Sequence, residues 1–475
     1  MLDELRNELR ISSFEELEWK VKSECDHQFG QALVKLLEGL GEWLHGRVDR
    51  KRFEFVDFRS RTLETVLGIP VRFRRRYYLD RESGKYVALL DQLLELPEHD
   101  QISPALEKVA VQLGVNGPSY RAAAQQLELC HGRKVMSHEA IRQAVIRAGQ
   151  EAARQAKQRR QQPEGRKRLK VLWIEADGGN IPLQRSRRRR VEEKLVVSHE
   201  GWRRRHPGSE EYMLVNPRVF ASTDEGEDFW DAASRELLTH YDLDETVVVI
   251  NGDRAAWIRR GVEMFPRAMY QVDRFHLKRE LRDLFAGCPE GLKAVCEALE
   301  SEDETGATFL ACLAEWAPKL KTQRKREACQ ALLKDLSSIP EAVVDYRVRL
   351  RKVYGLDTEG MRGMGSAESQ VDRFTDRLRG RGQSWSLRGL QAIVELICRQ
   401  MEGRLSQVLE QLRGIVEPLG MPLMDGDALA SQVAQRVMND VCGIPVLHPP
   451  VMDAGRRRSG GMSWYMHRIA NGVAM

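Results

Sequence analysis

The sequence predicts an α/β fold, a mixed sheet carrying helices, preceded by a mostly helical N-terminal region. Two observations predict it. Thr246-Val247-Val248-Val249-Ile250 is an unbroken apolar, β-branched run of the kind buried on both faces of a sheet. Between Val171 and Val272 the patterns follow one another as three strands, a helix, a strand, a helix and a strand, which suits a mixed α/β sheet. Composition agrees. The chain has 475 residues, 42% hydrophobic and 31% charged, enough for two or three domains around a large core. No stretch approaches the roughly 18 apolar residues that cross a bilayer, so no membrane partner is expected. Met1-Leu2-Asp3-Glu4 does not open a basic-then-apolar signal, so a cytoplasmic location is expected.

The elements follow in order. Residues 1–50 read as an N-terminal helical segment, with Phe14, Leu17, Val21, Phe29, Leu33, Leu36 and Leu40 at helical spacing. Residues 51–162 form the expected DNA-binding region. It starts with short strands, Phe53-Glu54-Phe55-Val56 and Val71-Arg72-Phe73-Arg74, around Gly68-Ile69-Pro70. Arg74, Arg75 and Arg76 beside Tyr77 and Tyr78 make a basic, aromatic ribbon, which suits either phosphate gripping and base stacking or an edge strand with a charged outer face. Next come two helices around a break at Gly132, with Ser119 opening the first, Ser137 capping the second, and Arg142 on the second. This is the outline of a helix-turn-helix, and equally of any helical hairpin. A polar connector leads to a boundary near Pro163. Residues 163–276 hold the strands named above. Residues 277–355 are helical, residues 356–420 open on a glycine loop and resume as helices, and residues 421–475 end in a helix and a tail rich in Pro and Arg.

Charge is uneven. Between Gln155 and Arg205, 16 Lys and Arg stand against 6 Asp and Glu, although the whole chain carries only +5. The block includes Arg187, Arg188, Arg189, Arg190, Arg203 and Arg204, and points to a polyanion partner rather than a merely solvated loop. The eight cysteines form no CxxC pair, which argues against both a disulfide framework and a zinc site; reduced, mostly buried thiols are expected.

Two carboxylates stand at strand ends. Asp177 ends the strand from Val171, and Asp253 ends the strand from Thr246. If these strands are neighbours, the acids meet at the sheet edge where open α/β sheets bind ligands. Hard oxygen ligands there suit Mg²⁺ or Mn²⁺ and phosphodiester chemistry. Gly178-Gly179 and Gly252 beside the acids would let a phosphate backbone approach. The plainer reading of Asp253 is a helix cap. Asp273 and His276 sit at the next strand end, Glu175 shares the strand face of Asp177, and Glu368 opens a helix after the glycine loop.

Taken in order, Ile174-Glu175-Ala176-Asp177-Gly178, Asn251-Gly252-Asp253 with Trp257-Ile258, Asp273-Arg274-Phe275-His276, Ser366-Ala367-Glu368 and Ser384-Trp385-Ser386 resemble the ISLre-type insertion-sequence transposases. Ser119-Tyr120-Arg121 and Arg74-Arg75-Arg76-Tyr77 are also similar to that family. The resemblance spans roughly residues 50 to 400. It implies an RNase H-like catalytic core with an Asp-Asp-Glu triad, here Asp177, Asp253 and Glu368, holding the metal. The 115 residues between the last two look like the class with a helical insertion, which would be residues 277–355. The Asp-x-x-His element at Asp273 and His276 resembles that of Mutator-like and hAT-like enzymes. One departure is Gly178, where the family tends to carry a further acid.

The function this implies is cutting and strand transfer at the ends of an insertion sequence. Double-stranded DNA would be the partner, both terminal inverted repeats and target, and a homo-oligomer would hold two ends. His276 would orient the scissile phosphate or its leaving oxygen, or else be a core residue. Trp316 would stack on an unpaired base, or pack in the core. Two alternatives stand beside this function. One is an RNase H-like nuclease or resolvase without strand transfer. The other is a domesticated, transposase-derived DNA-binding protein.

Overall fold

The computed structural model describes residues 13–98, 100–301, 303–365, 374–379 and 382–411. The chain forms two compact units, one of Met1–Gly114, Ser119–Ala144 and Leu409–Met475, the other of Val115–Pro118 and Val145–Val408.

In the first unit, α1 (Phe14–His45) starts at Ser13, whose hydroxyl accepts the N–H of Glu16 at 3.2 Å. The expected short strands are longer than their apolar cores. β1 (Phe53–Glu64) and β2 (Pro70–Asp80) form one antiparallel hairpin, extended by β3 (Lys85–Val87). The turn between β1 and β2 needs Gly68, at φ 72°, because a Cβ there would lie 2.5 Å from the His131 ring. Leu37 and Leu44 of α1 pack on Leu63, Val71, Phe73 and Tyr78 of the hairpin and on α2 (Leu89–Leu93). α3 (Pro104–Asn116) follows. α4 (Tyr120–His131) is capped by Ser119 and stopped by Gly132 in the left-handed region, and α5 (His138–Gln161) follows Ser137, as the sequence indicates.

The division between units falls inside α5 rather than near Pro163. The second half of α5 crosses α14 (Leu387–Met401) so closely that a Cβ on Gly149 would lie 2.1 Å from the Ala392 carbonyl oxygen. This contact ties the helix to the second unit.

The second unit is a mixed α/β structure around a five-stranded sheet. Its strands are β5 (Val171–Pro182), β6 (Arg190–His199), β9 (Arg218–Ser222), β11 (Val247–Gly252) and β12 (Ala268–Val272), in spatial order β12-β11-β5-β6-β9. β5, β6 and β9 run antiparallel as a meander, whereas β11 and β12 run parallel to β5. Short pairs lie outside this sheet, β4 (Lys167–Arg168) with β10 (Tyr241–Asp242) and β7 (Trp202–Arg204) with β8 (Tyr212–Leu214). α6 (Gly226–Leu238) supplies the crossover between β9 and β11. Leu172, Ile174 and Ala176 face one core with Phe229, Trp230 and the helices α8 (Arg274–Leu284), α9 (Pro289–Glu300), α10 (Ala307–Trp316) and α11 (Gln323–Ser337). Val171 and Trp173 face the other with Tyr346 and Leu350, the latter pair on α13 (Tyr346–Tyr354), which follows α12 (Pro340–Val343). Both faces of β5 and β11 are covered, which is why their sequences read as continuous apolar runs.

Among the described residues no helix is long and apolar enough to cross a membrane. The described cysteines are all unpaired, but only Cys329 and Cys398 are fully buried and Cys25 and Cys130 are exposed, so the expectation of mostly buried thiols fails. Trp316 is half-buried, packed against α9 and the main core.

Candidate carboxylate site

Strand register decides which side chains meet. Ala176 on β5 pairs with Gly252 on β11, and Gly252 pairs with Val272 on β12. The next residues are Asp177, Asp253 and Asp273, so three acids lie side by side across adjacent parallel strands; β11 and β12 end there, but β5 runs on to Pro182 because it stays paired with β6, so Asp177 does not end its strand as the sequence suggests. Burial pushes the Asp177 carboxyl above its ordinary range. The Gly178 N–H, at 2.7 Å from Oδ1, and His276 pull it down, while Asp253 and Asp273 push it up further. Asp177 therefore feels both neighbouring acids and the imidazole.

The strand ends are braced. Asp253 Oδ1 accepts the Ala255 N–H at 2.9 Å in a local turn. The cap of α7 (Ala256–Arg259) is Ala255, without a side-chain bond, so the helix-cap reading of Asp253 does not hold. The Tyr270 hydroxyl donates to the carbonyls of Gly252 (3.1 Å) and Asp253 (2.7 Å). Arg254 bonds Glu280 of α8 and Asp335 of α11, each at 2.8 Å. Asp273 is buried and caps α8. One oxygen accepts the Phe275 N–H at 2.8 Å, and the other takes Nδ1–H of His276 at 2.9 Å. That bond is the main cause of the raised His276 pKa, and it leaves Nε2 as the nitrogen turned away from Asp273.

Glu368 lies outside the described residues. The chain on either side of it is tied to β5. The Gly365 N–H donates to Glu175 Oε2 at 3.1 Å, Trp385 N–H donates to the Pro182 carbonyl at 3.0 Å, and Gln184 N–H donates to the Trp385 carbonyl at 2.8 Å. Glu175, 1% exposed, is thus a buried anchor for the loop rather than a solvated acid; His199 Nε2 stands 3.6 Å from it. The nearby glycines differ in need. A Cβ on Gly178 would meet only ordinary contacts, whereas one on Gly252 would lie 2.7 Å from the Ala176 carbonyl oxygen, so Gly252 serves strand packing. Among the described residues no group of three or more His, Cys, Asp and Glu is arranged to hold a metal ion. Asp177 and Asp253 are hard oxygen donors whose mutual repulsion a divalent cation would offset, so they fit Mg²⁺ or Mn²⁺.

The arginines predicted to bind DNA divide into groups. Arg187, Arg188, Arg189 and Arg190 are exposed and have no carboxylate within ion-pair distance among the described residues. Arg203 and Arg204 are exposed on β7. Arg74 and Arg76 hold their guanidinium groups 4.7 and 4.9 Å from the Phe58 ring, and Arg76 also pairs with Glu42. Arg142 is half-buried and pairs with Glu139 on its own helix, 2.7 Å away. Arg75 is the exception. It turns inward onto Asp91 beside buried Arg61, because its position on the hairpin faces the core under α2.

Sequence reasoning missed two features. Gln271, Asn251 and Glu175 pair across β12, β11 and β5, a buried polar row one strand step behind the acids. Glu193 on β6 is buried with both carboxyl oxygens unpartnered, and burial, with a smaller push from Asp224, raises its pKa to about 8. Acids inside an otherwise apolar strand, as in Glu192-Glu193 before Lys194-Leu195-Val196, are the one signal that could have found it.

Comparison with known proteins gives a family. The sequence profile of an uncharacterised protein family, UPF0236, matches residues 7–412. The chain belongs to UPF0236. A UPF0236 protein of Streptococcus gallolyticus, named for the vanSb 3′ region, is 29% identical over 395 residues, 82% of this chain and 83% of that protein. A UPF0236 protein of Caldanaerobacter subterraneus subsp. tengcongensis is 26% identical over 408 residues, 83% of this chain and 78% of its own length. Among solved structures, the Drosophila P element transposase strand transfer complex is similar at a TM-score of 0.23 and 10% identity, over 67% of this chain and 83% of that one. At that TM-score it carries no inference about this UPF0236 chain.

Proposed function

We propose that this chain is a DNA transposase of an insertion sequence, of the ISLre-type kind, which cuts and joins phosphodiesters at element ends on an RNase H-like core. The observation that carries the reading is the alignment of Asp177 and Asp253 on adjacent parallel strands, with Gly365 and Trp385, before and after Glu368 in the sequence, each bonded to the strand that bears Asp177. The sheet order, an antiparallel meander continued by two parallel strands, supports the RNase H-like assignment. A further support is the name of the Caldanaerobacter relative, which joins eleven locus labels, as a protein encoded by a repeated mobile sequence would.

Asp177, Asp253 and Glu368 would hold Mg²⁺ or Mn²⁺, which supplies activation of the attacking oxygen and charge neutralisation at the phosphodiester. His276, oriented by Asp273, would present Nε2 to a phosphate oxygen. Arg187, Arg188, Arg189 and Arg190 would neutralise DNA phosphates.

The test uses the full chain and linear DNA bearing the element ends, with and without Mg²⁺. Cleavage and joined products are expected, and Asp177→Asn, Asp253→Asn and Glu368→Gln should each abolish both while still binding the DNA. Cleavage without joining would favour the nuclease or resolvase reading. Absence of metal-dependent cleavage by the wild-type chain would refute the enzyme, leaving a DNA-binding protein.

A further inference from the structure

The outward face of the β1–β2 hairpin carries a repeat. Residues opposite one another on paired antiparallel strands share a face, and Leu63, Val71 and Phe73 turn one face to the core. The pairs Phe58 with Arg76, Ser60 with Arg74 and Thr62 with Arg72 alternate with that set, so they share the opposite face. Phe58, Ser60, Thr62, Arg72 and Arg74 are all exposed. Two rungs of this face are alike, each an arginine directly across from a hydroxyl. They stand one alternate step apart along the strands, about 7 Å.

None of these side chains is an acid. Beside them α1 contributes Glu42, which pairs with Arg76 at 2.6 Å, and Glu38, which accepts the backbone N–H of Arg74 at 2.9 Å. Among the described residues neither Arg72 nor Arg74 has a carboxylate within ion-pair distance of its guanidinium. Lys35 of α1, also exposed, lines a cavity together with Arg72. Lys35, Arg72, Arg74 and Arg76 therefore outweigh Glu38 and Glu42, and the surface is positive.

Phe58 is 43% exposed, and the guanidinium groups of Arg74 and Arg76 rest against its ring. Such contact occupies the flat side of a guanidinium and leaves its N–H edges free to donate. Glu42 takes up those of Arg76, so Arg74 is the braced arginine with donors to spare. Planar forks at regular spacing, each beside a hydroxyl donor, match a row of phosphates better than a single anion.

We propose that this face holds the sugar–phosphate backbone of duplex DNA, with Arg72 and Thr62 on one phosphate and Arg74 and Ser60 on the next. Phe58 is a positioning residue that keeps Arg74 aimed outward. This rests on the nucleic-acid reading above, with Arg75 left out because it turns inward onto Asp91. Contacts of this kind fix the DNA without reading its sequence.

The test is fluorescence anisotropy of the full chain with a mixed-sequence duplex over a salt series. Arg72→Ser with Arg74→Ser should lower the slope of log affinity against log salt by about 2. Ser60→Ala with Thr62→Val should weaken binding about tenfold and keep the slope. Phe58→Leu, which retains apolar cover without the aromatic face, should weaken binding severalfold, again at constant slope. Arg59→Ser is the control, because Arg59 lies on the other face over Tyr77, and it should leave the slope unchanged. Thermal melts report that each variant is folded. A double-arginine variant whose slope falls no further than that of the control, or wild-type affinity in the hydroxyl variant, would overturn the proposal and leave the DNA reading standing. Conversion of a dimer to a monomer by the double-arginine change, seen by sedimentation with duplex affinity intact, would overturn it in favour of a second copy on this face. If the wild-type chain binds no duplex, the nucleic-acid reading fails and this proposal fails with it.

Discussion

Glu193 lies on β6 in register with Gly179 of β5, two residues beyond Asp177, and its carboxyl oxygens meet no hydrogen-bond donor. Asp224 pushes its pKa up, Lys194 pulls it down, and the buried Cys398 thiol of α14 is an electrostatic neighbour. Burial dominates and raises the pKa from 4.5 to about 8. The folded chain therefore holds a proton here that the unfolded chain releases above about pH 4.5. The stability linked to this proton is fully present below that pH and is lost as pH rises through about 8. A separation of about three and a half pH units, at about 1.4 kcal/mol each, makes the loss at most roughly 5 kcal/mol. Glu193→Gln removes the titration while keeping the shape. Urea denaturation of the full chain followed by circular dichroism at pH 5, 7 and 9 reads the effect. The variant should match wild type within about 1 kcal/mol at pH 5 and exceed it by several kcal/mol at pH 9. Parallel stability profiles for the two proteins between pH 5 and 9 would refute the reasoning.

Other perturbations follow from single contacts. Gly252→Ala forces a Cβ against the Ala176 carbonyl and Ile258, so a loss of about 1–3 kcal/mol in denaturant unfolding is expected, with Gly178→Ala near neutral beside it. Replacing Arg187, Arg188, Arg189 and Arg190 by Ser should lower the slope of log affinity against log salt for duplex DNA by about 3 to 4, measured by anisotropy. The Asp273 bond raises the His276 pKa, so its contribution to stability is present below pH ~6.5 and fades as pH rises through the folded value. His276→Leu should thus cost less at pH 9 than at pH 6 in thermal melts, and an equal cost at both would remove the charge-assisted pair. Arg75→Ala should destabilise the first unit, because it leaves Asp91 with one fewer partner beside Arg61, whereas Arg187→Ala should leave the melting temperature unchanged.

The sequence by itself determined the strands and their order. Val171–Ile174 and Val247–Ile250 are apolar enough to be read as doubly covered strands, and Ser13, Ser119, Ser137 and Gly132 are local devices that start and stop helices whatever surrounds them. It also put Asp253 and Asp273 at strand ends, because an apolar run that stops at an acid is visible in one dimension, but it missed that β5 runs on past Asp177 to Pro182. Tertiary structure alone decided that β11 lies between β5 and β12, and hence that those acids are neighbours, since the β5–β11 register depends on pairing between segments more than 70 residues apart. It also decided that Arg75 turns inward while Arg74 stays out, that Glu175 is an anchor and Gly252 a packing necessity, and that Gln271, Asn251 and Glu193 are buried polar groups. The physical reason is common to all of these. A side chain's partners and its access to water depend on what the rest of the chain packs against it, and local pattern does not encode that.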